Sequence, residues 1–345
     1  MRSDEMVHNT VVKCLADNAL SLIDQPRPQI SDGEILVRLN ACGICGTDIA
    51  KVYDPYFKKP QQIGHELVAT VVETKCKKFK LGQRVAIAHH APDPSSHYAM
   101  RGSAPMDPVF KSSNIDPGGF AEFIRVPKAL TQQTVIAIPD HVPDLRAVFM
   151  EPLACCLRAL YRVSVQSGHS ALIIGAGAVG ILFLPLLKDA GVKSLVLDMR
   201  TERLALARDW GAVDGCVVDN GDIAEIAKRH SESRGVDLVI LSVVTKATLE
   251  TALQTIRDGG TILLFGSKPN NSFAIDWWEI WRREINLITS YSATPELMPR
   301  AMALLAKPNY AFETLVSHNF KLAQAQQAFD LAHEGKASKI VLTGE

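Results

Sequence analysis

Ala171-Leu172-Ile173-Ile174-Gly175-Ala176-Gly177-Ala178-Val179-Gly180 is the stretch on which the fold turns. Four apolar residues make a short buried strand, and a Gly-x-Gly-x-x-Gly turn then opens an apolar helix. In such a turn the first glycine permits the bend and the second lets the backbone approach a pyrophosphate. The third lets the helix pack closely on its strand, with the diphosphate at the helix N-terminus. A Gly-rich loop without a ligand is the alternative, but the strand before it and the helix after it favour a nucleotide. The next strand ends in Asp198, about twenty residues on, where a carboxylate would hold the two ribose hydroxyls. It would also repel a 2′-phosphate, so NAD is expected over NADP. Arg200 could neutralise or bind such a phosphate. Gly175, Gly177, Val179, Gly180, Asp198 and Arg200 are therefore the candidate cofactor-binding residues.

Outward from that turn, residues from 151 onward alternate strands and helices. Strands are expected at 170–174, 194–198, 215–218, 238–242 and 261–265. Helices are expected at 151–163, 177–190, 203–210, 222–230 and 246–257. Such alternation predicts an α/β fold with a doubly wound parallel sheet. The N-terminal part differs, with short glycine-punctuated strands at 11–12, 34–39, 68–72 and 84–87, as in an antiparallel barrel or sandwich. Residues 89–116 are rich in Pro, Ser, Asp and His without periodicity and read as a long loop or lobe; 118–127 returns to strand. The tail from about residue 297 carries two amphipathic helices and a last strand at 339–342 that rejoin the first domain. The expected organisation is one domain of 1–150 completed by 293–345, and a second of 151–292.

The 345 residues are 47% hydrophobic and 21% charged, an ordinary globular balance. Thirty-seven basic residues offset thirty-seven acidic ones, so no charge stripe asks for nucleic acid and a small molecule is the expected ligand. Seven scattered cysteines and an N-terminus (1–6) without an apolar core fit a reduced, cytoplasmic protein with no disulfide framework. The uncharged run 171–187 is broken by three glycines and Pro185, so it reads as a buried strand–turn–helix and no membrane partner is expected.

A second constellation supplies chemistry. Cys42-Gly43-Ile44-Cys45-Gly46-Thr47-Asp48 is followed by Gly64-His65-Glu66. A thiolate, an imidazole and a carboxylate are the ligand types of a catalytic zinc, and Glu151, in Met150-Glu151-Pro152-Leu153, offers another carboxylate. Three protein ligands would leave a position for an alcohol, whose proton the metal would help remove. Thr47 is a candidate first relay for that proton. The candidate catalytic residues are Cys45, Thr47, His65, Glu66 and Glu151, with Cys45, His65, Glu66 and Glu151 as metal ligands. Each has a plainer reading: His65 as a core histidine, Glu151 as a helix-end charge, Asp48 as structural support, Cys42 as packing. Tyr53, Phe120, Arg283 and Tyr291 are candidates for substrate contact or packing. Trp277, Trp278 and Trp281 suit a subunit interface or the core.

These pieces, with 80–85, Gly118-Gly119-Phe120-Ala121-Glu122, Arg257-Asp258-Gly259-Gly260-Thr261 and Lys339-Ile340-Val341, resemble the zinc-dependent medium-chain alcohol and polyol dehydrogenases, sorbitol and threonine dehydrogenases among them. The resemblance implies a GroES-like β domain, a Rossmann domain, and zinc and nicotinamide in the cleft between them. A homo-oligomer, dimer or tetramer, is expected on the same ground. Relatives often hold a structural zinc on four lobe cysteines; here those places are Asp93, Ser96, Ala99 and Asp107, so one catalytic zinc and no structural zinc is expected. Many relatives also carry a proton-relaying histidine where this chain has Ala50. The resulting expectation is hydride transfer between NAD and a secondary alcohol of a polyol, sugar or cyclitol, or the reverse reduction of the ketone. The rivals are a zinc-free reductase of activated double bonds and a non-catalytic NAD-binding sensor.

Overall fold

A computed structural model describes residues 8–218 and 222–344; the N-terminal stretch 1–6 lies outside them. By its contacts the chain divides into two compact units. One comprises the residues up to Ala154 with those from Ala293, and the other comprises Cys155–Ser292.

The second unit is built on a six-stranded sheet. Its order is Asp214–Val217, Lys193–Asp198, Ser170–Ile174, Val236–Leu241, Ile256–Leu264, Asn286–Thr289. Every neighbouring pair is parallel. Ser170–Ile174 is buried throughout, which its unbroken apolar run requires. The strand order runs outward from it in both directions, so the Gly-rich turn that follows stands at the topological switch point. The doubly wound parallel sheet is therefore as the alternation predicts. The edge strand Asn286–Thr289 is too short to show a pattern and was not legible. The helix expected over 246–257 stops at Thr255, because Ile256–Leu264 has already begun and Arg257 Nε donates to Asp237 Oδ1 at 2.7 Å. The uncharged run divides into strand, turn and the helix Ala178–Asp189, buried at every residue from Gly180 to Leu187. Among the described residues no helix is long and apolar enough to cross a membrane.

The first unit holds a seven-stranded sheet, ordered Val316–Lys321, Lys339–Thr343, Ile35–Gly43, Glu66–Thr74, Arg84–Ile87, Val135–Ala137; Phe123–Val126 pairs with Ile35–Gly43 off that path. Its pairs are antiparallel except the first, which is parallel. A hairpin, His8–Ala16 with Ala19–Pro26, accompanies it. The tail rejoins this unit: Ala325–His333 sets Phe329 edge-on to Phe120 at 5.7 Å in the core. The last strand pairs Val341 with Gly43 and Leu342 with Cys42. On the other side of the same strand, Gly43 pairs with Glu66 and Cys42 with Leu67. The C-terminal strand and Glu66 thus meet across Gly43. Val316–Lys321 was not legible, since its polar residues alternate with too few apolar ones. The lobe is more ordered than its composition suggests, with helical turns at Ala99–Arg101, Ala104–Met106 and Pro108–Ser112.

Candidate functional site

Cys45 ends the loop after Ile35–Gly43 and caps the helix Gly46–Tyr53. His65 and Glu66 stand at the start of Glu66–Thr74. Together they offer a sulfur, a ring nitrogen and a carboxylate oxygen, all within 4.8 Å of one another. Thr47 is exposed in the first turn of the same helix. Glu151, buried in the first turn of Met150–Tyr161, stands outside this group of three.

Asp48 joins the two motifs. Its Oδ2 accepts the Cys45 amide at 3.1 Å, the return bond of a capping box. Its Oδ1 accepts the Gly64 amide at 2.9 Å and lies 3.3 Å from His65 Nδ1. The carboxylate is fully buried. Burial alone would raise its pKa, but the His65 ring, Lys51 and the Gly64 amide outweigh that and bring it to about 2. Burial alone would likewise depress His65, yet Asp48 and Cys45 push its basicity well up. Positive charge is therefore welcome among these groups. Cys42 is fully buried, with burial raising its thiol, and it packs in the core.

Lys339 was legible only as part of a closing motif, yet it belongs here. Its ammonium pairs with Glu66 Oε2 and donates to the Ile44 carbonyl at 3.1 Å. A methyl at residue 43 would displace the Glu66 carboxylate and the end of the Lys339 side chain, so glycine leaves this pair its place. The sequence offers His89, with His90, His97 and the lobe aspartates, as a weak candidate metal binder or part of a solvated loop, and not as a neighbour of His65. The register Leu67 to Ile87 carries it alongside His65, with the rings 4.7 Å apart. The His89 ring lies against that of His90, tilted by 41° with centroids 3.7 Å apart, and its Nδ1 is buried with no hydrogen-bond partner among the described residues. Burial pushes His89 well down; it also lowers His90 to about 4, against the opposing pull of the Ser113 carbonyl. The signal was present in the strand at 84–87, whose continuation had to run beside Gly64-His65-Glu66.

In the lobe, Asp93, Ser96, Ala99 and Asp107 are tied by hydrogen bonds. Asp107 Oδ2 accepts the Asp93 amide at 2.6 Å, its Oδ1 accepts that of Val109 at 3.2 Å, and Ser96 Oγ accepts that of Ala99 at 3.1 Å.

In the second unit, Gly175 donates its amide to Leu197 at 2.8 Å, Gly177 caps Ala178–Asp189, and Val179 lies in its first turn. A methyl at Gly180 would strike the Gly175 carbonyl, so helix and strand sit as close as the third glycine of such a turn allows. Open space surrounds the position a Cβ of Gly177 would take. Asp198 is buried at the end of its strand. Its Oδ2 accepts the Ala176 amide at 2.7 Å and its Oδ1 that of Arg200 at 3.0 Å. Arg203, not singled out from the sequence, lies 3.7 Å from Asp198, whereas the Arg200 guanidinium lies 4.0 Å from Glu202. Of the residues read as substrate contacts or packing, Tyr53 bonds Asp330 and stacks on His333, and Phe120 is core. Arg283 binds Asp258, Glu279 and two backbone carbonyls, while Tyr291 is exposed.

Comparison with known proteins bears on the family and the fold. Residues 31–140 match the alcohol dehydrogenase GroES-like domain family, and 178–307 match the zinc-binding dehydrogenase family. The chain is 28% identical to human sorbitol dehydrogenase over 337 residues, covering 94% of this chain and 92% of that one. It is 25% identical to L-threonine 3-dehydrogenase of Shewanella baltica (strain OS185) over 341 residues, covering 96% and 98%. A Sinorhizobium meliloti 1021 chain assigned as a zinc-binding dehydrogenase and bound to NADP superposes with a TM-score of 0.87 at 24% identity, covering 97% and 99%. With a GroES-like match over 31–140, a zinc-binding dehydrogenase match over 178–307, and likeness over more than nine-tenths of the chain to sorbitol and threonine dehydrogenases, this chain belongs to the zinc-type medium-chain alcohol and polyol dehydrogenases.

Proposed function

We propose that the chain transfers a hydride between NAD and a secondary alcohol of a small polyhydroxylated compound, a polyol, sugar or cyclitol. The observation that carries this reading is the convergence of Cys45, His65 and Glu66. One soft and two harder donors in a group that favours positive charge suit zinc, and three ligands rather than four suit a catalytic site. Zinc bound there supplies a Lewis acid that eases loss of an alcohol's proton. Nicotinamide supplies the hydride acceptor.

The chain's own residues do the rest. Cys45, His65 and Glu66 would hold the ion. Asp48 receives His65 Nδ1–H, which fixes the ring and would leave Nε2 for a metal. Lys339 balances the Glu66 carboxylate. Thr47, exposed one residue from Asp48, passes the substrate's proton outward through its hydroxyl. Gly175, Gly177, Val179 and Gly180 form the pyrophosphate turn, and Asp198 favours NAD by repelling a 2′-phosphate. A single ion is proposed, because hydrogen bonds already hold the lobe at Asp93, Ser96 and Asp107.

Protein purified without chelator is expected to contain one zinc per chain by elemental analysis. It should reduce NAD with a polyol, lose that activity on chelation and regain it with zinc. Full turnover in metal-free protein would return the reading to the zinc-free reductase. NAD binding with no reaction across a broad panel of polyols, sugars and cyclitols would return it to the sensor.

A further inference from the structure

The hydrogen bonds of the first unit leave one ring beside the metal group unclaimed. His89 lies next to His65, ring centroids 4.7 Å apart. Of its two nitrogens only Nδ1 is sealed. Nε2 makes no hydrogen bond among the described residues either, and it is the open end of a half-buried side chain. The ring is held in place from both sides along the chain. Thr134 accepts the Ala88 amide on its carbonyl at 3.3 Å and donates its hydroxyl to the Ala88 carbonyl at 2.9 Å. Ser113 Oγ accepts the Ala91 amide at 2.9 Å and lies 3.1 Å from the Ala91 carbonyl. Between these brackets His90 binds the Ser113 carbonyl through Nδ1 and lies 5.0 Å from the buried Phe110 ring. Phe110 and Ser113 belong to the lobe, in the helical turn Pro108–Ser112 and the residue after it.

A side chain locked by its neighbours, with free hydrogen-bonding capacity beside a reactive group, is built to meet a bound molecule. Its tautomer follows from the sealed end. A buried N–H without an acceptor is rarer than a buried lone pair without a donor, so Nδ1 keeps its lone pair and Nε2 carries the hydrogen. Resting on the dehydrogenase reading above, we propose that His89 sets the substrate class: Nε2–H donates to a second hydroxyl, on the carbon next to the one that loses hydride, and the substrate is a vicinal diol. His89 stands one ring from His65, so it meets the oxygen beside the reacting one and not one at the far end of a long molecule. An anionic group at the same place would need a cation, and Lys51 and Lys339 are engaged on the Gln62 carbonyl and on Glu66. An alcohol without the second hydroxyl leaves Nε2–H dry and unpaired, which is how a hydrogen-bonding site rejects an analogue.

Propylene glycol and isopropanol test this, since they share a secondary alcohol and differ by the neighbouring hydroxyl. Wild type should favour propylene glycol in kcat/KM by at least about tenfold, with the difference in KM. His89→Phe keeps a ring and removes both nitrogens. The preference should then vanish with isopropanol unchanged, whereas a structural loss would lower both alcohols together. His89→Gln, which carries an N–H, should restore part of the preference. A second readout needs no turnover. With NADH in place of NAD no alcohol is oxidised, and nitrogen NMR of histidine-labelled protein follows the His89 ring, its signals identified by their loss in His89→Gln. They should shift with propylene glycol and stay with isopropanol.

Wild type that treats the two alcohols alike overturns the proposal, as does a His89→Phe chain that keeps the preference. Loss of zinc from His89→Phe, read by elemental analysis, overturns it too, because the ring then serves the metal and not the substrate. Should His89→Phe fail to fold, the wild-type ratio and the NMR shift decide. Equal oxidation of both alcohols without a shift sinks this inference and leaves the dehydrogenase reading standing. A shift specific to the glycol in a protein that oxidises neither alcohol does the reverse.

Discussion

The Lys339 ammonium is paired with the Glu66 carboxylate across Gly43, and both side chains are buried. The pair joins the strand Lys339–Thr343 to the group of Cys45, His65 and Glu66, and removing one partner leaves the other charge stranded. Lys339→Met should cost about 3–5 kcal/mol of stability in chelated protein. Zinc should recover more of that loss in the variant than it adds to wild type, since the ion supplies the missing positive charge. Urea unfolding with and without zinc measures both. A variant as stable as wild type under chelation would show that Lys339 does not carry Glu66.

Asp48 holds the Cys45 amide, the Gly64 amide and His65 Nδ1 with one carboxylate. Asp48→Asn keeps the shape but loses the charge behind His65. Zinc affinity should fall about 10- to 100-fold, the range seen when such supporting groups are removed. Competition with a chromophoric chelator reads this directly. An unchanged affinity would reduce Asp48 to a helix cap.

Asp198 accepts the Ala176 and Arg200 amides, with Arg203 beside it. Asp198→Ser should raise the KM for NAD and shift the NAD-to-NADP preference toward NADP by at least tenfold, because the repulsive charge is gone while Arg200 and Arg203 remain. Steady-state kinetics with both cofactors decide it. Wild type that already prefers NADP would remove the basis for the NAD assignment.

His90 should make the fold acid-sensitive. Burial lowers its pKa from 6.5 to about 4, so between those values the unfolded chain binds a proton that the folded chain refuses. Stability from this source is constant above pH about 6.5 and declines as the pH falls toward about 4. His90→Gln keeps a donor for the Ser113 carbonyl and should flatten that decline, as urea midpoints across the range would show. An equally steep decline in the variant would assign the acid sensitivity to other groups.

Most of the second unit was legible because a parallel sheet buried on both faces must be written as nearly continuous apolar strands, with glycines where helix and strand touch. Ser170–Ile174 and the turn after it allow almost nothing else. The edge strand Asn286–Thr289 has half-exposed residues and no such constraint, so it left no trace. In the first unit the ligand types stood out at Cys45 and at His65 with Glu66, since thiol, imidazole and carboxylate in that order have few other uses. His89 and Lys339 did not stand out, because their importance lies in strand register and not in local pattern.

The amino-acid sequence by itself marked out a two-part organisation, the Gly-rich turn, and Cys45, His65 and Glu66, because each is written in short local motifs under strong constraint. Only the tertiary structure decided which groups surround those donors. Antiparallel pairing sets Lys339 on one flank of Gly43 and Glu66 on the other, and carries His89 alongside His65, across separations no local pattern records. It also left three tryptophans in solvent on a rigid helix, since exposure depends on what packs against a side chain and not on the residues beside it in the chain.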